Sequence, residues 1–167
     1  MDHALPGVGG ILPRRRGLHL GSAAHDIDAV LDYLAEHAAS LGIDAPSIGL
    51  WATSGHVPTA LGALARRGGR DLKAAVLSTG FTLDIAGSAL PTSVPTLIVR
   101  AGREENAGLN DALDRFVAAA FAANWPLTVV NHASVGHAFE LNDDSATTKY
   151  VIHHIAFTKF WLYERYA

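Results

Sequence analysis

The chain has 167 residues, of which 49% are apolar and 17% charged, and it contains no cysteine. This composition indicates one globular domain, residues 1–167, and excludes disulfides, thiolate metal sites and a cysteine nucleophile. The net charge of −3 and a single short basic run, residues 14–16, argue against nucleic acid as a partner. Because the sequence shows neither an apolar stretch of ~20 residues nor a signal peptide, we expect a soluble, cytoplasmic protein without membrane contact.

Helical and strand patterns alternate along the chain from residue 24 onward. The first 22 residues, 1–22, are rich in glycine and proline and indicate an irregular segment. Apolar positions spaced three, four and seven apart then predict a helix over 24–41. An apolar run at 48–52 predicts a strand buried on both faces, and a helix follows from Pro58 to about Gly68.

The second half of the chain repeats this alternation. Apolar runs predict strands at 74–77, 96–100 and 127–130. A helix that carries Leu109 follows the second of these three strands, and the last helix is predicted over about 145–163. This order predicts an α/β fold, a three-layer sandwich in which a mostly parallel sheet lies between helices.

The residues after each strand are the candidates for chemistry, because ligands of parallel sheets bind beyond the carboxyl ends of the strands. Ser54 stands between the first strand and a helix, with the small Ala52 two residues before it. This arrangement is typical of a nucleophile elbow, a turn that strains the backbone of the serine. The helix start also places positive dipole and free N–H groups near Ser54 and Gly55, which suits a developing oxyanion. His56 is larger than the residue usual at its position, and the alternative is that Ser54 only caps the helix.

Polar loops follow the third and fourth strands. The first of them contains Glu104 and Glu105, either of which is suited to orient a histidine, although carboxylates of surface loops are more often only solvated. The second contains two histidines. His137 is the candidate base for Ser54, whereas His132, nearer the strand, is predicted to make a structural hydrogen bond.

The order of the serine, the acid and the histidine, each of which follows a strand, resembles that of the α/β-hydrolase superfamily. Within it the sequence looks most like the dienelactone hydrolase group, on residues 48–56, 95–105 and 136–139. The resemblance implies a truncated α/β-hydrolase fold that lacks the usual N-terminal strands. It also implies that Ser54 is the nucleophile and His137 the general base.

The resemblance implies further roles and a reaction. Glu104 or Glu105 is the orienting acid; Gly102 precedes them at a spacing that permits either, and we favour Glu105. The N–H of Gly55 supplies one oxyanion donor. The implied reaction is hydrolysis of a small ester or lactone through a Ser-His-acid triad, with no cofactor and no metal. The alternative is a remnant that has lost hydrolysis and acts as a binding or interaction domain.

The length of the chain limits the early part of such a fold. Only 53 residues precede Ser54, and a helix and a strand occupy much of them. Residues 7–10 are therefore the one candidate for the loop that supplies a second oxyanion donor. The strand that ends at Ala52 is expected at the edge of the sheet. An apolar edge predicts a homo-oligomer unless residues 1–20 cover it.

Overall fold

The computed structural model describes residues 20–82 and 93–153, and the side chains from residue 25 onward within those ranges. Two short 3-10 turns, Ala45–Ser47 and Ser54–His56, accompany the main elements. Residues 146–153 are helical and are called α5. The other elements are α1 (Leu20–Leu41), β1 (Gly49–Thr53), α2 (Val57–Arg67), β2 (Ala74–Ser78), β3 (Thr96–Ala101), α3 (Leu109–Ala122), β4 (Leu127–His132) and α4 (Phe139–Asn142).

The four strands form one parallel sheet in the order β1-β2-β3-β4. In this register Trp51 lies beside Val76, which lies beside Leu97. Helices connect β1 to β2 and β3 to β4, as a parallel sheet requires. All four carboxyl ends therefore lie at the same edge of the sheet, and the loops that leave them can meet.

Helices cover both faces of the sheet. One buried cluster joins α1, α2 and α3 to one face and includes Leu61, Leu77 and Ile98. A second cluster joins α4 and α5 to the opposite face and includes Val99 and Phe139. Neighbouring residues of β3 thus enter different clusters, because successive side chains of a strand point to opposite faces. The prediction of a three-layer α/β fold is confirmed.

Local signals account for the ends of the helices. Gly42, with φ +66°, follows α1 in the left-handed region, where glycine carries no steric penalty. Pro58 lies in the first turn of α2, where its missing N–H has no intrahelical acceptor to lose. Asn124, with φ +54°, follows α3. The end of α1 at residue 41 and the start of α2 near Pro58 are those that the sequence predicts.

The bounds of the elements shift by a few residues from those predicted. α1 begins at Leu20 and so includes the last residues of the segment predicted to be irregular; the rest of that segment, residues 1–19, lies outside the described residues. β4 continues two residues further, to His132. The last predicted helix is present as α5, and its continuation beyond residue 153 lies outside the described residues. No helix among the described residues is long and apolar enough to cross a membrane.

β1 is less buried than predicted. Ala52 is its one buried residue, and Trp51 is 46% exposed. The prediction of a strand buried on both faces is therefore wrong for β1, whereas every residue of β2 is buried. The reason is that α2 packs on the face that carries Ala52, while the cluster on the other face includes β2 and β3 but not β1.

The edge position of β1 is confirmed within the described part of the chain, where β2 is its one neighbouring strand. Self-association through this edge stays a prediction. We expect sedimentation velocity to show a homo-oligomer that Trp51→Lys shifts toward the monomer, because a charge on an edge strand opposes pairing. Phe121→Lys, at an exposed aromatic residue of α3, is the matched control. A wild-type protein that stays monomeric over the whole concentration range would contradict the prediction.

Candidate active site

Ser54 lies in a sharp turn between β1 and α2. Its φ of +51° is in the left-handed region, which costs a residue other than glycine about 1–2 kcal/mol. One 3-10 turn, Ser54–His56, then leads directly into α2. The backbone is thus strained at this serine, as the sequence predicts, and strain of this kind is typical of functional turns.

The loop after β2 packs against this turn through Gly80. A Cβ atom at Gly80 would lie 2.2 Å from Cγ2 of Val57 and 2.6 Å from the carbonyl oxygen of Ser54. No side chain fits there, since real Cβ atoms do not approach other atoms so closely. Sequence reasoning missed this packing role. The signal was a glycine soon after a buried strand, which often marks a close backbone approach.

His137 lies in the loop between β4 and α4. Buried residues hold this loop on both sides, Val135 before the histidine and Phe139 after it. The His137 side chain is 23% exposed. Its Nε2 atom lies 2.7 Å from the hydroxyl oxygen of Ser54. The two residues are 83 positions apart in the sequence and meet because both follow strands of one parallel sheet.

The loop after β3 runs beside the loop that carries His137. The backbone N–H of Gly102 donates to the carbonyl of His132 at 2.9 Å, and that of Arg103 donates to the carbonyl of Val135 at 2.8 Å. The pairing of β3 and β4 therefore continues beyond the sheet. It carries the next residue, Glu104, to the ring of His137.

Glu104 is an almost completely buried carboxylate, with 1% of its side chain exposed. Its Oε2 atom accepts a hydrogen bond from Nδ1 of His137 at 2.7 Å. Its Oε1 atom accepts from the backbone N–H of Asn106 at 3.0 Å and from the Asn106 side-chain amide at 2.6 Å. Sequence reasoning missed Asn106, because nothing in the pattern of a polar loop distinguishes it.

The environment of Glu104 keeps it ionised. Burial by itself raises the pKa of this carboxyl, but the backbone N–H of Asn106, the His137 ring and the Asn106 amide together hold the pKa below its ordinary value. An ionised carboxylate only accepts hydrogen bonds, so Nδ1 of His137 carries the proton that it donates to Glu104. In the neutral ring Nε2 is then unprotonated and accepts the O–H of Ser54. This tautomer is the one that can remove the serine proton.

The structure distinguishes the two candidate acids, of which the sequence favours Glu105. Glu104 contacts the ring of His137, whereas Glu105 accepts a hydrogen bond from the backbone N–H of that histidine at 3.0 Å. Both glutamates follow Gly102 at a suitable spacing, so the choice depends on side-chain directions. The hydrogen bonds between the two loops determine those directions.

The interpretation of Ser54 as a helix cap is not supported. Neither the 3-10 turn nor α2 has a side-chain capping hydrogen bond at its start, and the Ser54 hydroxyl is directed to His137. His56 is exposed, which explains how a large side chain is accommodated so close to the sharp turn. Gly55 is exposed in the same first turn, where backbone N–H groups have no intrahelical acceptor.

His132 makes the structural hydrogen bond predicted for it. Its buried Nε2 atom lies 3.1 Å from the hydroxyl oxygen of Thr148 in α5. Because Thr148 donates its hydroxyl proton to Asp143, it is Nε2 of His132 that donates to Thr148. The bond ties β4 to α5. Among the described residues no group of three or more His, Asp or Glu side chains could hold a metal ion.

Comparison with known proteins adds a structural relationship. No family model and no curated protein matches the sequence. Among solved structures, a fungal esterase from Rhizomucor miehei superposes with a TM-score of 0.74 at 14% identity, over 86% of this chain and 60% of its own. A protein from Klebsiella pneumoniae subsp. pneumoniae that is assigned as a dienelactone hydrolase superposes with a TM-score of 0.68 at 19% identity, over 84% of this chain and 61% of its own. The chain has the α/β-hydrolase fold.

A third match extends this result. An α/β-hydrolase enzyme from a Medee basin deep-sea metagenome library superposes with a TM-score of 0.64 at 18% identity, over 83% of this chain and 62% of its own. The chain thus spans about 60% of the length of these structures. In the α/β-hydrolase fold, nucleophile, acid and histidine follow strands in that chain order. Ser54, Glu104 and His137 have the same order, and His137 lies within hydrogen-bond distance of each of the other two.

Proposed function

We propose that the protein is a serine hydrolase of small esters or lactones, with Ser54, His137 and Glu104 as its catalytic triad. The observation that carries the proposal is the continuous hydrogen-bonded chain from Glu104 through His137 to Ser54, with 2.7 Å at each step. The α/β-hydrolase fold supports it, as do the names of the matched structures, which include esterases and a dienelactone hydrolase.

The geometry performs acyl transfer in two halves. Ser54 Oγ attacks the ester carbonyl while its proton passes to Nε2 of His137, and Glu104 stabilises the imidazolium that forms. The tetrahedral intermediate expels the alcohol, which takes the proton from Nε2. Water then loses a proton to Nε2 and attacks the acyl-enzyme, and Ser54 leaves with that proton as the acid is released. A lactone follows the same course, with the alcohol retained in the product.

The N–H of Gly55 is the proposed oxyanion donor. It follows the nucleophile at the start of a helix, where N–H groups lack intrahelical acceptors and the helix dipole favours negative charge. One such donor typically contributes ~2.7–4 kcal/mol to transition-state stabilisation. Ahead of β1 the described residues form α1 and a short 3-10 turn and offer no loop after a strand for a second donor. The candidate at 7–10 lies outside the described residues.

The second candidate function is a binding or interaction domain without hydrolysis. One observation favours it: His56 stands two residues after Ser54, at a position where a nucleophile elbow usually has a small residue. Such a domain would keep the hydrogen-bonded serine and histidine without turning over an ester.

Reaction with a fluorophosphonate probe separates the two functions. We expect a serine hydrolase to form one adduct per chain, located by mass spectrometry on the peptide that contains Ser54, and to hydrolyse a short-chain p-nitrophenyl ester. Ser134 serves as an internal control, since its hydroxyl lies beside the ring of His132 rather than that of His137. Heat-denatured protein is the control for folding. Folded protein that neither reacts nor hydrolyses would select the binding domain.

A further inference from the structure

A second carboxylate, that of Glu105, contacts the backbone of His137 rather than its ring. Oε2 of Glu105 accepts the backbone N–H of His137 at 3.0 Å, across 32 positions of sequence. The carboxyl group also lies against Gly136, because a Cβ atom built there would be 2.2 Å from Oε1 of Glu105 and 2.9 Å from its Cδ. The absence of a side chain at Gly136 gives this carboxyl its place.

The segment that Glu105 contacts needs to be held. Residues 133–138 form neither strand nor regular helix, and Ala138 has a φ of +54° in the left-handed region. The bond from Arg103 fixes the segment at Val135, and buried Phe139 fixes it on the far side. Between these two points Glu105 is the group that contacts the backbone at His137 itself.

The ion pairs of the described residues do not include Glu105, although it is exposed. Its carboxylate is therefore directed to the amide of His137 rather than to a surface cation. Hydrogen bonds with an ionised acceptor are stronger than neutral ones and hold a backbone group in a more definite place.

We propose that Glu105 is a positioning residue for His137: Glu104 orients the ring through Nδ1, and Glu105 fixes the backbone of the same histidine, so that Nε2 stays within reach of Ser54. The inference rests on the proposed function. Misplacement of a catalytic group by about 1 Å can lower a rate about 100-fold, and a loosened backbone at His137 has part of this effect.

Two variants of Glu105 test the proposal kinetically. Glu105→Ala removes the acceptor and is expected to lower kcat for a short-chain ester about 10-fold with KM nearly unchanged, because the histidine is displaced in every step that it catalyses. Glu105→Gln keeps an oxygen acceptor at the same reach and is expected to restore most of kcat. Glu36→Ala, at an exposed glutamate of α1, is the matched control. Thermal unfolding of all three variants is expected to match that of the wild type.

Hydrogen exchange of the His137 backbone amide, followed by NMR, gives a readout that does not depend on activity. We expect exchange to be about 10-fold faster in Glu105→Ala and close to wild type in Glu105→Gln, because exchange requires the hydrogen bond to open. Unchanged exchange in Glu105→Ala overturns the inference. Full kcat in Glu105→Ala, measured against an active wild type, overturns it as well. A wild type without esterase activity or probe labelling refutes the proposed function instead, and the exchange rates then decide the inference alone.

Discussion

Ser54→Ala and His137→Ala are each expected to lower kcat for a short-chain ester by about 10,000-fold or more, because either change removes the activated nucleophile. In the proposed mechanism the two residues act as one unit, joined by the 2.7 Å hydrogen bond. The double variant is therefore expected to be no slower than either single variant. Initial rates over a range of ester concentrations measure kcat for each variant. Purification of all variants in parallel controls for contaminating esterases.

Controls for this prediction come from the same chain. Ser134→Ala, in the loop that carries His137, is expected to keep its activity, since the Ser134 hydroxyl lies beside His132.

Ser54→Gly removes the nucleophile and also the left-handed strain at φ +51°, so it is expected to unfold at a higher temperature than Ser54→Ala. Appreciable activity in Ser54→Ala would refute the proposed mechanism.

Glu104→Gln is expected to lower kcat by about 10,000-fold, as loss of the acid's charge does in other serine triads. Glutamine can still accept the two hydrogen bonds of Asn106 through its carbonyl oxygen. Its NH2 group then faces Nδ1 of His137, which must become an acceptor, so the ring proton moves to Nε2. A ring in that tautomer cannot accept the proton of Ser54.

Glu105→Gln is the matched comparison for this change, because it alters the neighbouring glutamate in the same way and leaves the ring contact intact. Similar losses in both variants would contradict the assignment of Glu104 as the acid.

The stability of the wild type relative to Glu104→Gln is expected to depend on pH. Because the pKa of Glu104 is lowered in the folded protein, its charge contributes stability above the ordinary glutamate pKa, and this contribution is lost as the pH falls through the folded value.

Much of the fold follows from local patterns. The apolar runs predict all four strands, and the helix predicted from Pro58 to about Gly68 is present as α2. The same patterns place Ser54 directly after one strand and His137 in the loop after another. In a parallel sheet this is enough to bring their loops to one edge, so the pairing of nucleophile and base could be inferred before any distance was known.

Other features depend on contacts between distant parts of the chain. The exposure of Trp51 depends on which strands are covered on each face of the sheet. The need for glycine at position 80 depends on the close approach of Val57. The different contacts of Glu104 and Glu105 with His137 depend on hydrogen bonds between the loops after β3 and β4.

The sequence by itself determined the α/β architecture, because apolar runs and helical spacing distinguish strands from helices, and it determined which polar residues follow each strand. Only the tertiary structure decided that Glu104 holds the ring of His137 and Glu105 its backbone. The two glutamates are adjacent and chemically alike, and a loop has no periodicity that assigns directions to its side chains. Those directions come from the backbone bonds of Gly102 and Arg103 to the neighbouring loop, which form only when the sheet is assembled.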